Sequence, residues 1–469
     1  METLNTALAF ASIAVLRDLL VRGDICSREL VELHLSRIER HDPLLHSYVD
    51  LHAQQALTVA DGLDQLRRGG TTLGPLHGVP IAVKDLFDIE GWPTGGGSVA
   101  QPPRIAQVTA TVVQRLRQAG AIVLGKTQTV EYAFGGWGTN AVMGTPWNPW
   151  DLETHRVPGG SSSGSSVAVA AGLACAALGT DTGGSIRIPA GLCGVVGLKT
   201  TQGLVSRHGL IELCPTHDTV GPITRDVEDC AILLDSIAGA DPLDAASFSA
   251  PGGRADRLLD NPVAGMRAWV LPDEERGAVD AEVLAIYDRS LQSFEDLGVT
   301  LVQQPLPTSL NEAMQIAGQL MSAEGYANLG PLFERDDLAF DPNVRRRILL
   351  GRDITAASYQ GLLAARARAQ TAMRQSMTTV DVCIFPTNAI AAIAVSAVDE
   401  LATPLSLLGR FVNLLNLCSL AIPAGFTVEG MPVSVQVIGP SFGEATILQL
   451  GHAFQRATRW HLMHPTGLD

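Results

Sequence analysis

The stretch from Pro158 to Thr200 constrains the fold of this chain more than any other part of the sequence. It reads PGGSSSGSSVAVAAGLACAALGTDTGGSIRIPAGLCGVVGLKT, in which two Gly/Ser clusters flank a run of small apolar residues. A Gly/Ser cluster alone is typical of a flexible linker. Here each cluster leads directly into an apolar segment, so we expect both loops to be packed inside a folded domain. The run VAVAAGLACAALG between them is predicted as a helix.

Strand and helix patterns alternate along most of the chain, which is typical of an α/β protein. GVPIAVK, AIVLG, CIFPTNA and PVSVQVIG have the apolar, β-branched character of buried strands, whereas TATVVQRLRQ and the closing GEATILQLGHAFQRATRWH are predicted helices. We therefore predict one large α/β domain over 1–469, with a mixed central sheet covered by helices on both faces. Its predicted parts are an N-terminal helical segment (1–70), a catalytic core (71–225) and a C-terminal part that completes the sheet and the substrate pocket (226–469).

Composition narrows the class of protein further. Hydrophobic residues make up 46% and charged residues 17% of the chain, enough to build a large core. The net charge of −15, without a basic stripe and interleaved aromatics, argues against direct binding of nucleic acid. No apolar run approaches the roughly 20 residues that span a bilayer, so we expect no membrane association and a cytoplasmic location. The seven cysteines lack CxxC spacing, which indicates reduced thiols and no zinc site.

The segment TDTGGS predicts a nucleophile and the backbone donors that would serve it. Ser185 is the candidate nucleophile. The adjacent glycines allow the backbone to approach a substrate closely and to aim several N–H groups at one oxyanion. The predicted donors are the amides of Thr182, Gly183, Gly184 and Ser185.

A serine hydroxyl needs a base within hydrogen-bond reach. None of the eleven histidines lies in a recognisable catalytic motif. Lys84, inside the predicted buried strand, is the better candidate, because burial lowers the pKa of an ammonium group. The alternative is a buried ion pair with Asp85 or Asp88. Strand alternation turns Asp85 away from Lys84, whereas Asp88 follows a turn and is able to approach.

These motifs together resemble the amidase signature family over almost the whole chain. The similarity rests on GPLHGVPIAVKD, PGGSSSGSS, GTDTGGSIRIPAGLCGVVGLKT, GPITRDVED and PVSVQVIGPSFGEATIL, which occur in the order that the family has. The resemblance implies a Ser, cis-Ser, Lys triad in which Ser185 attacks, Ser161 relays the proton and Lys84 is the final base. It also implies a cis peptide between Gly160 and Ser161. Ser162, Asp181 and Arg187 match positions that brace the two loops in the family.

One position departs from the family pattern. The family usually has GGSSGG where this chain has Ser163 in place of the first glycine of the second pair, which reduces the freedom of the backbone there. The same segment also spells GxSxG, the nucleophile elbow of α/β-hydrolases, which would make Ser162 the nucleophile. That elbow must follow a strand, and the preceding WDLETHRVPG is polar and contains proline.

The resemblance implies an amidase that cleaves a linear amide through an acyl-enzyme, without a metal or organic cofactor. Esters, carbamates and hydrazides share this acyl chemistry. Phe134 and Trp137 match a loop that lines the acyl pocket in relatives, and Leu414 and Leu417 are predicted to add apolar wall, although core packing explains each equally well. We therefore expect a small, neutral or partly apolar amide as the substrate. For assembly we keep a homodimer as an expectation.

The alternative function is the glutaminase (A) subunit of a tRNA-dependent amidotransferase, which has the same motifs. VRRRILLG, with Arg345, Arg346 and Arg347, resembles that subunit, in which an arginine of this region receives the carboxylate of the substrate. A solvated basic helix face is the other interpretation. In the glutaminase, an acidic partner for the ammonium of glutamine is expected near position 406. This chain has the uncharged Ser406 there, which argues against the glutaminase.

Overall fold

The structure, a computed structural model, describes residues 2–251, 255–402 and 404–468. The strands in these ranges are β1 (Tyr48–Leu51), β2 (Pro80–Lys84), β3 (Pro93–Thr94), β4 (Arg104–Ile105), β5 (Ile122–Thr127), β6 (Ala176–Asp181), β7 (Val196–Lys199), β8 (Thr219–Thr224), β9 (Arg267–Val270), β10 (Thr300–Val302), β11 (Val382–Pro386), β12 (Cys418–Phe426) and β13 (Pro432–Gly439). The α-helices there are α1 (Glu2–Ala9), α2 (Ile13–Arg22), α3 (Ser27–Leu45), α4 (Ala53–Arg68), α5 (Thr111–Gln118), α6 (Ser163–Ala170), α7 (Arg187–Cys193), α8 (Val227–Ile237), α9 (Asp273–Arg276), α10 (Ala281–Asp296), α11 (Leu310–Phe333), α12 (Pro342–Leu349), α13 (Ala356–Ser376), α14 (Ser406–Leu414) and α15 (Glu444–Thr458).

One mixed sheet of eleven strands, in the order β1-β5-β2-β6-β8-β7-β12-β13-β11-β9-β10, runs through the molecule. Strand β2 is parallel to β5 and β6, whereas β8 is antiparallel to β6 and β7. Strand β12 pairs antiparallel with both β7 and β13, and so joins the C-terminal part of the chain to the strands of residues 71–225. The mixed α/β sheet predicted from the sequence is confirmed.

Apolar clusters cover both faces of the sheet. In β2, Ile81 and Val83 belong to the largest cluster, whereas Ala82 belongs to a second cluster with α6. Successive strand residues point to opposite faces, so these assignments mean that helices pack on both sides of the strand. The strand that carries Lys84 is therefore enclosed from both directions. None of the described helices is both long and apolar enough to cross a lipid bilayer.

The N-terminal segment is less uniformly helical than predicted. Tyr48–Leu51 form β1 at one edge of the sheet, antiparallel to β5. A four-residue strand between two long helices gives too short a pattern to recognise in sequence. The segment before β1 consists of three separate helices, α1, α2 and α3, and Cys26 is the N-cap of α3.

The small-residue run after the first serine loop is the other correction. Its pattern predicts one helix, but the helix α6 ends at Ala170 and Ala176–Asp181 form the central strand β6. Gly172 has φ +65°, a conformation that suits glycine and ends the helical segment. Small residues fit both a close-packed helix and a crowded central strand, so periodicity alone does not separate the two here.

Candidate active site

Lys84 lies at the end of β2, fully buried, with its Nζ among hydroxyl groups. The distance from Nζ to Ser161 Oγ is 2.8 Å, to Thr180 Oγ1 2.8 Å and to Ser162 Oγ 3.1 Å. The Ser162 hydroxyl itself lies 3.2 Å from the carbonyl oxygen of Thr180, to which it donates. The Ser161 hydroxyl has no described acceptor other than Nζ. A neutral amine at this point has a lone pair that accepts the Ser161 proton.

Burial disfavours the charged form of Lys84 and lowers its pKa to about 7, although the negative charges of Asp181 and Asp218 act in the opposite direction. An amine with a pKa near neutrality is substantially unprotonated at the pH of the cell. Such a group is suited to act as a general base.

The two carboxylates next to Lys84 in sequence pair with other cations. Asp85 Oδ1 lies 3.5 Å from Nζ of the buried Lys126, and Asp88 lies 2.7 Å from the Arg104 guanidinium. The ion-pair interpretation of Lys84 with Asp85 or Asp88 is therefore wrong. Asp85 does not pair with Lys84 because successive strand residues point to opposite faces, as anticipated from the sequence.

The first serine loop carries the cis peptide bond that the resemblance implies, between Gly160 and Ser161. Ser162 follows as the N-cap of α6, and Ser163 is the first residue of the helix. Both side chains are buried, and the Ser163 hydroxyl lacks a hydrogen-bond partner within the described structure. No described strand runs into Ser162, and its hydroxyl is engaged with Lys84 and Thr180, so the nucleophile-elbow interpretation is not supported.

The second serine loop lies directly against the first. The Ser162 amide donates to the carbonyl oxygen of Ser185 at 3.0 Å, and the Ser185 side chain is 6% exposed. Among the described residues, the Ser185 hydroxyl makes no hydrogen bond within 3.5 Å. A catalytic hydrogen bond that forms only when the substrate is bound is common in free enzymes.

Three of the four predicted oxyanion donors have unengaged amides within the described structure: those of Thr182, Gly183 and Ser185. Gly184 is different, because its N–H donates to Asp181 Oδ1 at 2.8 Å. The prediction of Gly184 as an oxyanion donor is therefore corrected: this amide holds the loop instead. Its φ of +115° is a glycine conformation, and a Cβ there would lie 2.7 Å from Ile188.

Asp181 and Arg187 form a buried ion pair that braces the oxyanion loop, residues 182–185. Arg187 Nη2 lies 3.0 Å from Asp181 Oδ1, and both side chains are inaccessible to solvent. Burial raises the pKa of Asp181, but the charge and hydrogen bonds of Arg187 outweigh this and lower the pKa below its ordinary value. Asn413 on α14 hydrogen-bonds to both partners, and Gln436 on β13 accepts from Arg187 at 2.9 Å.

The residues predicted to line the substrate pocket are all buried. Phe134 packs in a cluster with Met321, whose sulfur borders Gly183, and Trp137 packs in a cluster with Ile188, which borders Gly184. Leu414 and Leu417 lie instead in the largest core cluster of the molecule. Phe134 and Trp137 are thus near the oxyanion loop, whereas Leu414 and Leu417 belong to the packing behind it.

The basic segment of α12 is divided between solvent and interior. Arg346 is exposed and Arg345 is half-buried, and Arg345 Nη2 lies 2.5 Å from the exposed Asp336. Arg347 points inward, donates to the carbonyl oxygen of Phe134 at 2.8 Å and pairs with Glu400 at 2.5 Å. Ser406 is buried at the start of α14, close to Gly136.

Several residues of the site were not predicted. Thr180 contacts Lys84, and the buried Asp218 accepts a hydrogen bond from the Thr182 hydroxyl at 2.6 Å. Thr180 lies within the motif GTDTGGS and Asp218 lies just before β8, but only the three-dimensional structure, in which β6 pairs with β8, shows their contacts with the site. Asn413 and Arg410 come from α14, far along the chain, and no local pattern identifies them.

Comparison with known proteins shows which family this chain resembles in sequence and in fold. The family model described as Amidase matches residues 29–448. The A-type subunit of the glutamyl-tRNA(Gln) amidotransferase of Moorella thermoacetica is 40% identical, over 96% of this chain and 97% of that protein. The native peptide amidase of Stenotrophomonas maltophilia is 29% identical, with a TM-score of 0.85 over 96% of this chain and 97% of that one.

A further solved structure is an inhibitor-bound complex from a study of a vestigial protein complex and the evolutionary origins of an s-triazine catabolic enzyme. It is 30% identical, with a TM-score of 0.89 over 95% of this chain and 98% of that one. The family match covers most of the chain, and these relatives align over nearly all of it. This chain therefore belongs to the amidase family, the amidase signature enzymes.

Proposed function

We propose that this chain hydrolyses the C–N bond of a carboxamide through Ser185, Ser161 and Lys84, by way of an acyl-enzyme. The observation that carries the proposal is the 2.8 Å contact between Lys84 Nζ and Ser161 Oγ, both inaccessible to solvent. An amine with a pKa of about 7 draws the Ser161 proton, and Ser161 in turn takes the proton of Ser185. Ser185 is then able to attack the carbonyl carbon.

The remaining steps use groups of the two loops. The amides of Thr182, Gly183 and Ser185 are available to the oxyanion that forms on attack. Ser161 passes a proton to the leaving amine as the C–N bond breaks, and the acyl group stays on Ser185. Water then attacks the ester carbonyl and gives a proton to the same relay, which returns it to Ser185 Oγ as the ester bond breaks and the acid leaves. Esters, carbamates and hydrazides are open to the same chemistry.

The experiment that tests this function needs no known substrate. We expect a small fluorophosphonate to add once to the intact chain, and peptide mapping to find the adduct on Ser185. Lys84→Ala should abolish the label, while the exposed Arg374→Leu, on α13, should leave it unchanged. An adduct on Ser162, or equal labelling of the Lys84→Ala variant, would contradict the proposed triad.

The glutaminase component of an amidotransferase is the second candidate. It is favoured by the 40% identity to the A-type component of a glutamyl-tRNA(Gln) amidotransferase, which as a subunit belongs to a larger assembly. One contact and one uncharged residue argue against glutamine as the free substrate. Glu400 already pairs with Arg347, and the buried Ser406 offers no negative charge to an ammonium group.

Ammonia release distinguishes the two candidates. A free-standing amidase turns over simple amides in the purified state, and glutamine is then no better a substrate than other carboxamides. A glutaminase component releases ammonia from glutamine, and its rate rises when partner subunits and glutamyl-tRNA are added. A cytoplasmic location and a homodimer stay predictions from the sequence.

A further inference from the structure

Arg410, on α14, is a cation beside the oxyanion loop that has no partner among the described residues. The residue is partly buried, and its Nε is inaccessible to solvent and makes no hydrogen bond within the described structure. Within the described residues, no carboxylate lies within 4.0 Å of its guanidinium, and none of its nitrogens has a hydrogen-bond partner. A partly buried guanidinium without a counter-charge is unfavourable, which indicates that a partner from outside the chain completes this site.

Other buried or half-buried arginines of this protein do have partners. Arg187 pairs with Asp181, Arg347 pairs with Glu400, and Arg366 donates to two backbone carbonyl oxygens. The chain carries 48 acidic residues against 33 basic ones, so carboxylates are abundant. The missing counter-charge at Arg410 is therefore a local property of this site and does not follow from the composition.

The position of Arg410 links it to the reacting centre. A Cβ built on Gly183 would lie 3.1 Å from Arg410 Cγ, so the arginine stem passes along the oxyanion loop. Gly183 precedes Ser185 by two residues, a span of at most about 7 Å. A short substrate acylating Ser185 is thus able to reach the guanidinium.

A pocket of about 460 Å³ opens at this guanidinium. Apart from Arg410, its polar lining consists of the neutral side chains of Gln315, Gln319 and Ser322 on α11, and none of the described residues that line it is acidic. Gly318 faces Arg410, where a Cβ would lie 3.1 Å from Nη1. The glycine leaves room for the guanidinium head, and the two glutamine amides provide further N–H groups.

The charge that acts on Arg410 from within the described chain is positive. Burial, followed by the charge of Arg347, lowers the pKa of Arg410 to about 10. It is still a cation at neutral pH, in surroundings that repel a second cation and attract an anion.

We propose that Arg410 receives a carboxylate of the substrate, so that the preferred substrate is an anionic amide. This inference rests on the proposed amide hydrolysis and names the substrate class of that same site. It revises the sequence-based expectation of a neutral substrate, in which Arg410 had no part. A guanidinium–carboxylate contact is usually bidentate and orients the substrate as well as binding it.

The test compares anionic and neutral amides of equal chain length. One series takes the monoamides of malonic, succinic and glutaric acid against propionamide, butyramide and pentanamide. A second pair, N-acetylglycine against N-ethylacetamide, moves the carboxylate to the leaving amine. We expect kcat/KM to favour the anionic member by about tenfold to a hundredfold in at least one series, the range for a charge-assisted hydrogen bond.

Variants then assign the preference to Arg410. Arg410→Leu should lower the anionic-to-neutral ratio of kcat/KM by about the same factor, mainly through KM, and Arg410→Lys should restore part of it. Arg374→Leu, which removes an exposed arginine, should leave the ratio as it is. A wild-type ratio of one in every series would overturn the proposal, as would an unchanged ratio in Arg410→Leu. Should Arg410→Leu not fold, the wild-type and Arg410→Lys ratios decide.

Fluorophosphonate labelling keeps this proposal separate from the proposed function. If the wild-type protein is labelled on Ser185 but does not prefer anionic amides, only the Arg410 proposal is wrong. If the protein is not labelled on Ser185, the proposed amide hydrolysis, on which the Arg410 proposal rests, is wrong as well.

Discussion

At the scale of the residue, the ionisation of Lys84 controls the proposed chemistry. The amine is a base only when it is unprotonated, and its pKa is lowered to about 7. We therefore expect kcat/KM to rise about tenfold per pH unit below pH 7 and to level off above it. The pH dependence of fluorophosphonate labelling should show the same limb.

The Lys84→Ala variant tests the same role of Lys84 by removing the amine. Removing a general base costs about a hundredfold to ten-thousandfold in rate, and the limb near pH 7 should vanish from the residual activity. Ser161→Ala should lose less than Lys84→Ala, because water is able to bridge part of the gap. A wild-type rate that does not change between pH 5 and pH 9 would rule out Lys84 as the base.

A second prediction at the scale of the residue concerns Asp181, whose role is to brace the oxyanion loop. Asp181→Asn leaves the fully buried Arg187 guanidinium without its counter-charge, and breaking such a pair costs about 3–5 kcal/mol of the free energy of unfolding. Urea denaturation measures the change. The exposed pair of Arg352 and Asp353 provides the matched control, and Asp353→Asn should cause no measurable shift. Equal effects of the two variants would show that the Asp181 pair is not a strong brace.

At the scale of the element, helix α6 fixes the first serine loop through a glycine. A Cβ on Gly164 would lie 2.3 Å from the carbonyl oxygen of Ser47 and 2.5 Å from the amide of Gln128. Gly164→Ala must displace one of these backbones, and we expect a loss of about 1–3 kcal/mol. Because Ser161 lies three residues away, the rate of Ser185 labelling should fall as well.

Gly62 in α4 is the matched control, since it is also a helical glycine. A Cβ there meets no atom within 4 Å, and the residue is exposed. Gly62→Ala should stabilise the protein by about 0.5–1 kcal/mol through the higher helix propensity of alanine. Thermal unfolding of the two variants compares them directly. Equal melting temperatures would mean that close packing does not hold α6.

The secondary-structure elements also show which parts of the fold and the site can be predicted from the sequence. The strand that carries Lys84 was predictable because its apolar run is bounded by glycine and proline, and the serine loops because their motifs are local. The extent of α6 was not predictable, because alanine and glycine suit both a tight helix and the crowded strand β6. Asn413 and Arg410 reach the site only through the packing of α14 against the oxyanion loop. Contacts between segments more than two hundred residues apart leave no local pattern.

At the scale of the whole molecule, the proposed catalytic residues lie in one part of the chain and the residues that support them lie in another. Residues 1–225 contain Lys84, Ser161 and Ser185. Strand β12, which pairs with β7 in the middle of the sheet, comes from the C-terminal part. The partners of Arg187 on α14 and β13 come from there too. A sheet cut between β7 and β12 would expose an edge strand that is buried in the intact protein.

We therefore expect residues 1–225, expressed alone, to fail as a folded catalytic unit. Without Asn413 and Gln436, the Arg187 guanidinium loses two hydrogen bonds, and the oxyanion loop loses the helix packed behind it. The fragment should show no cooperative unfolding and no fluorophosphonate adduct on Ser185 under conditions that label the full chain. Labelling of the fragment at the rate of the full chain would show that the core is autonomous. The C-terminal part would then serve the substrate pocket alone, and Arg410 would be its main contribution to the site.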